Sequence, residues 1–197
     1  MKPSPPQEIF CTQILQADAS VYSSQWMVLP AHLAQGMTAE EMLARYCRHI
    51  RRFTCSLVRP AICAGGVEFR VLGSSLCLLA FVGPHCEESQ AASRLSLDIR
   101  GGLLVQSSQR GRGSLVLSVA PHPDGVRFSL ELADYFPLLL GSTKPPLLRK
   151  RLYRMTQASI HKLATVRFLA GLYRELAGHA QLPTRVVKVA TEKGEDI

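Results

Sequence analysis

The sequence predicts an α+β fold: a curved antiparallel sheet of about six to seven strands packed around a long C-terminal helix. Three observations carry this expectation. Short segments alternating apolar with polar residues follow one another between Gly- and Pro-marked turns from residue 56 to residue 132. A capped amphipathic segment stands before them at Ala39 to Phe53. Helical periodicity returns at the end of the chain, from roughly Pro146 to Ala177. Strands with one wet face need a cover on the other, and the long helix is the obvious one.

The elements follow in order. Residues 1–7, rich in proline, read as a disordered tail. Ile9 to Gln16 reads as a strand, and Val21-Tyr22 with Trp26 to Leu29 as a second extended stretch that Pro30 ends. Ala31 to Gln35 suits one short helical turn. Thr38 is a fitting N-cap, and Glu41 three residues on completes a capping box. Met42, Tyr46, Ile50 and Phe53 then recur at helical spacing, with arginines on the other side. Strands are expected at Ser56–Ala64, Val67–Val71 and Leu76–Val82, and residues 85–92 read as a loop. Arg94–Arg100 alternates cleanly. Gly101-Gly102 marks a bend before a short stretch, Leu103 to Val105. Leu115–Ala120 and Val126–Leu132 form a hairpin around Pro121 to Gly125. In the long helix Leu148, Leu152, Met155, Ser159, Leu163, Val166, Ala170, Tyr173 and Ala177 make an apolar stripe, and Gly178 is a natural C′ residue. Residues 8–178 are therefore read as a single domain. Residues 179–197 are read as a polar tail, ordered at most in part, where Val186, Val187 and Val189 suit an edge strand.

Composition narrows the function classes. Of 197 residues nearly half are apolar, and no apolar run approaches the roughly 18 residues that span a bilayer. The N-terminus lacks the apolar core of a signal peptide, and six scattered cysteines form no paired metal-ligand spacing. A cytoplasmic protein with reduced thiols and no metal or cofactor is expected. The net charge is +8, but its distribution is uneven: residues 144–197 hold 11 Lys or Arg against 4 Asp or Glu, whereas residues 1–143 hold 12 against 11. A basic end of this kind suits an anionic partner, either nucleic acid or a membrane surface.

Lengths add a geometric expectation. A straight helix from 146 to 177 spans about 48 Å at 1.5 Å per residue, while a compact chain of this size is about 42 Å across. The helix therefore overhangs the domain or breaks, and Thr156 to Ser159 is the weak point.

The element order, one strand, a helix, about six antiparallel strands and a long helix, resembles the helix-grip superfamily of START-like and polyketide-cyclase-like proteins. The resemblance spans Ile9 to Gly178 and rests on topology, without a signature motif. The family usually places two short helices after the first strand; here only Ala39–Phe53 is clear. The resemblance implies a hydrophobic small molecule or lipid bound in a cavity between sheet and helix.

Candidate binding residues follow from the residue pattern. Gln157 and His161 lie on a polar line with Lys150, Arg154 and Thr165 beside the apolar stripe, and they suit the polar end of an otherwise apolar ligand. Met155, Tyr135 and Phe128 are candidate apolar contacts. Arg149, Lys150, Arg151 and Arg154 crowd the first turns of the long helix, where the dipole favours anions over cations. Glu131 and Asp134 are candidate internal partners for them. Arg110 and Arg112 flank a Gly-containing loop suited to phosphate. The competing account of each group is a solvated surface.

No GxSxG, HExxH, P-loop or GxGxxG motif is present. His85-Cys86-Glu87-Glu88 gathers a base, a thiol and two acids, but adjacent carboxylates raise a thiol pKa rather than lower it. Four functions therefore stand: binding of an apolar small molecule, binding of an anionic partner, a cyclase- or hydrolase-type activity using His161 or Asp134, and a structural subunit without a ligand.

Overall fold

Period-two alternation sets the faces of the sheet. In β6 (Ser93–Gly101) Leu95, Leu97 and Ile99 are buried, while Arg94, Asp98 and Arg100 are exposed. The same rule runs through β7 (Ser114–His122) and β8 (Gly125–Tyr135), where Leu117 pairs with both Leu95 and Leu130, and Val119 faces Phe128. These residues form a continuous apolar floor on one side of the sheet. The computed structural model describes residues 6–89, 92–142, 145–178, 183–189 and 195–196.

The remaining strands are β1 (Gln7–Leu15), β2 (Val21–Leu29), β3 (Val58–Cys63), β4 (Gly66–Val71), β5 (Cys77–Glu88), β9 (Thr184–Lys188) and the two-residue β10 (Glu195–Asp196). Their order is β10-β1-β2-β8-β7-β6-β5-β4-β3, with β9 also on the outer edge of β1. Every pairing is antiparallel except β1 with β9. The α+β class and the arrangement of sheet around helix agree with the sequence expectation. The strand count does not: nine strands of five or more residues are described, against six to seven expected.

Two added strands account for the excess, and a third strand is longer than expected. The extended stretch after residue 20 is a full strand, hydrogen-bonded on both sides by β1 and β8. The basic tail supplies β9. In the expected loop at 85–92, residues 85–88 are strand, because β5 continues through the bulge at Gly83-Pro84 to pair Glu88 with Ser93; residues 90 and 91 lie outside the described residues. Leu103 to Val105 forms no strand and contributes one bridge, Val105 to Pro137. There the positive φ of Gly102 lets the chain cross β5 closely, where a Cβ would collide with the Leu78 carbonyl.

Helix α1 (Ala39–Phe53) begins as its sequence dictates, with Thr38 Oγ1 accepting from the Glu41 amide at 3.2 Å. The Glu41 carboxylate turns to Arg45 and Arg48 instead of closing the box. Ala31–Leu33 is a single 3-10 turn. The C-terminal helix runs as α2 (Leu147–Tyr153), a π turn (Arg154–Ala158) and α3 (Ser159–Leu176). Thr156 Oγ1 donates to the Leu152 carbonyl at 2.6 Å and Ser159 Oγ to the Arg154 carbonyl at 2.5 Å, so hydroxyls serve carbonyls at the irregular turn. The Ala158 carbonyl also accepts from Gln13 Nε2 on β1. The helix thus changes register where Thr and Ser weaken it.

α3 lies over β1 and β2, while α1 lies over β3, β6 and β7. The two meet where Tyr46 and Phe168 pack edge to face with ring centroids 5.2 Å apart. The predicted stripe holds only in its second half. Leu148, Leu152, Met155 and Leu163 are exposed, whereas Ala170 is buried and Val166 and Tyr173 pack against the core; the rest of the buried side is Tyr153, Ala158, Ala164, Thr165, Phe168, Leu169 and Leu172. Sequence periodicity alone does not say which of two apolar faces turns inward.

Candidate functional site: a cavity under the C-terminal helix

The two helices cover only part of the sheet. Beneath α2 and the π turn they leave a cavity of about 480 Å³, with an open mouth. Its walls come from α1 (Tyr46, Ile50), β4 and β5 (Phe69, Phe81), β7 and β8 (Leu115, Leu132), and the C-terminal helix. No lining residue is Asp, Glu, Lys or Arg. The volume lies within the roughly 300–1,000 Å³ over which small-molecule pockets range, and the wall is mainly apolar.

Polar atoms gather on the helical side. Tyr153, Gln157 and His161 follow at four-residue intervals along the face that the π turn presents to the cavity. Tyr135, at the end of β8, completes the group. Its hydroxyl donates to the Leu104 carbonyl at 2.7 Å and accepts from Gln157 Nε2 at 2.8 Å. Gln157 Nε2 also reaches the Leu104 carbonyl at 3.4 Å. Gln157 Oε1 is buried without a hydrogen-bond partner among the described residues. Such an acceptor costs about 1–3 kcal/mol when left unmade.

His161 is walled in by protein yet keeps accessible surface, because that surface faces the cavity. Burial disfavours its imidazolium and holds its pKa down to about 4. Burial likewise pushes the Tyr135 and Tyr153 phenols well above their ordinary range. The polar cluster is therefore uncharged at neutral pH. It offers neutral donors and acceptors on one side of an apolar chamber.

The structure thus brings Tyr135, Gln157 and His161 together. Phe128 is fully buried in the core beneath α3's side of the sheet and does not line the cavity. Met155 is 78 % exposed on the outer face of the helix. Thr165, on the predicted polar line, is fully buried. Sequence reasoning missed Tyr153, which stands four residues before Gln157 and eight before His161; that spacing was the available signal.

The basic groups are dispersed. Arg112 is bound by Asp134 through three guanidinium bonds of 3.0, 3.1 and 3.2 Å, and lies 4.5 Å over the Phe136 ring. Asp134 therefore holds the Arg-Gly loop. Arg110 is exposed, its stem against Gly101. Arg149 and Arg151 are exposed, whereas Lys150 and Arg154 are half-buried. The Arg149 guanidinium packs so closely on Gly141 that any Cβ there would displace it.

His85 and Cys86 sit on a strand rather than in a loop. His85 Nε2 faces Asp98 at 3.5 Å, and Cys86 Sγ donates to Glu40 at 3.1 Å. The Glu40 carboxylate raises the Cys86 pKa, the opposite of nucleophile activation. All six cysteines are free, and no three metal-ligating side chains gather among the described residues. No helix among them is long and apolar enough to cross a membrane.

No family model matches the chain, and no curated protein matches it. Among solved structures, it is similar to the crystal structure of CalU16 from Micromonospora echinospora at 13 % identity and a TM-score of 0.35, over 90 % of this chain and 98 % of that one. The solution NMR structure of CalU16 gives 13 % identity and a TM-score of 0.36, over 94 % of this chain and 80 % of that one.

Proposed function

We propose that this protein binds an uncharged, largely apolar small molecule or lipid in the cavity between the sheet and the C-terminal helix. The observation that carries this reading is the chamber itself: about 480 Å³ of space, an apolar wall without a charged residue, and neutral polar tips on one side. Burying a charged headgroup there lacks compensation, since no cation or anion lines the wall. A ligand with one hydroxyl or amide group fits better. Its polar group meets Tyr153, Gln157 or His161, and its body lies against Phe69, Phe81 and Leu115.

The test uses N-phenyl-1-naphthylamine, a neutral apolar fluorophore with a single N–H donor. Binding should enhance its fluorescence at a one-to-one stoichiometry. Ala164 is buried and faces the cavity, so Ala164→Phe should fill space there and weaken binding at least about tenfold, the weight of about 1.4 kcal/mol. Native mass spectrometry of freshly purified protein should show a co-purified neutral molecule. An absence of both signals would favour the structural subunit without a ligand.

A further inference from the structure

We propose that the outer face of α2 and the π turn docks on an anionic membrane surface. Leu147, Leu148, Leu152 and Met155 are all exposed there, Leu148 and Met155 at 78 % each. The same face continues along α3 through Ile160 and Leu163, both exposed. An apolar stripe of this size on one helix is left in water unless something covers it.

Charge says what covers it. Arg149 and Arg151 stand exposed among the leucines, and no Asp or Glu occurs between residues 145 and 174. Alternating apolar and basic residues on one helical face match the acyl boundary and headgroups of an anionic bilayer. A second copy fits poorly: a two-fold contact buries both copies' Arg149 and Arg151 in one patch, with no Asp or Glu between residues 145 and 174 to pair them. Nucleic acid also fits poorly, since it would meet the arginines but leave the leucines and Met155 in water, with no aromatic side chain on this face for bases to stack on.

Position supports the same surface. Ile160 belongs both to the exposed face and to the cavity lining, as does Leu138 beside it at the mouth. A bilayer seated on α2 therefore lies against the opening. The docking face stands independently of the cavity reading: either can fail while the other holds.

Co-sedimentation of the full chain with phosphatidylcholine vesicles, with and without phosphatidylserine, tests the proposal at low and high salt. Binding is expected to the phosphatidylserine vesicles at low salt. The pair Arg149→Gln and Arg151→Gln should weaken it about thirtyfold, the weight of two basic residues near an anionic surface. The pair Leu148→Ser and Met155→Ser should weaken it at least about tenfold by removing apolar insertion. Both pairs change exposed side chains, so their thermal melts should match the parent and N-phenyl-1-naphthylamine titration should be unchanged. Absence of vesicle binding by the parent overturns the proposal. So does vesicle binding that the Ser pair leaves intact, tighter binding to an oligonucleotide, or dimerisation by light scattering that the Ser pair abolishes.

Discussion

At the scale of single residues, the most consequential group is His161. An ordinary histidine titrates near 6.5, and this one is held down to about 4 by burial alone. The unfolded chain therefore takes up a proton between those values that the folded chain refuses. Stability is fully present above 6.5 and is lost as pH falls towards 4. At 1.36 kcal/mol per unit, the loss near pH 4.5 is about 2–3 kcal/mol. His161→Leu removes that titration while leaving all others in place. Urea unfolding at pH 7 and pH 4.5 should show the parent losing about 2–3 kcal/mol more than the variant. Burial lowers the His49 pKa too, but it acts equally in both proteins. Tyr135 and Tyr153, facing the same cavity, stay neutral throughout this range. Equal losses in parent and variant would mean that water reaches the imidazole freely.

At the scale of elements, legibility follows how local the determining interaction is. The start of α1 was readable because Thr38 and Glu41 lie within one turn, and Thr38 Oγ1 does meet the Glu41 amide. Thr38→Ala should cost about 1 kcal/mol and lower Tm by about 2–4 °C in a differential scanning experiment. The weakness at Thr156 to Ser159 was also readable, and the π turn lies across it. The direction of the long helix was not. Its sequence carries two faces able to be buried, one of leucines and one of Tyr153, Ala158, Ala164 and Phe168. The choice depends on non-local contacts, such as the bond from Gln13 Nε2 on β1 to the Ala158 carbonyl and the packing of Phe168 on Tyr46. For the same reason Met155 was read as a ligand contact although it faces solvent, while Tyr153 was overlooked. Gln157 and His161 do line the cavity, and their polar tips at helical spacing are visible in the sequence whichever way the helix turns.

At the scale of the whole molecule, the cavity depends on sheet curvature, and the sheet depends on its edge. Phe69 and Phe81 become the far wall only because β4 and β5 curl back towards the helix, a distance in sequence that no pattern spans. At the opposite side, β1 would present an open row of backbone groups if β9 did not pair with it from Gln7 to Cys11. That pairing is anchored at both ends: the Gln7 amide donates to the Pro183 carbonyl at 3.0 Å, and the Val189 amide to the Cys11 carbonyl at 2.9 Å. Thr12 Oγ1 adds a bond of 3.2 Å to the Val189 carbonyl. The same stretch of sequence read as a mainly polar tail, because its three valines lie among charges and find their partner some 170 residues earlier. A chain ending at Gly178 should therefore keep its helices by circular dichroism but expose the edge of β1. Hydrogen exchange of amides in Gln7–Cys11 should accelerate relative to those of β7, whose neighbours on both sides remain. Static light scattering should show association that rises with concentration, as an unpaired edge strand adds to its copies. Unchanged exchange at β1 together with a monomeric truncated chain would show that β9 is dispensable to the sheet.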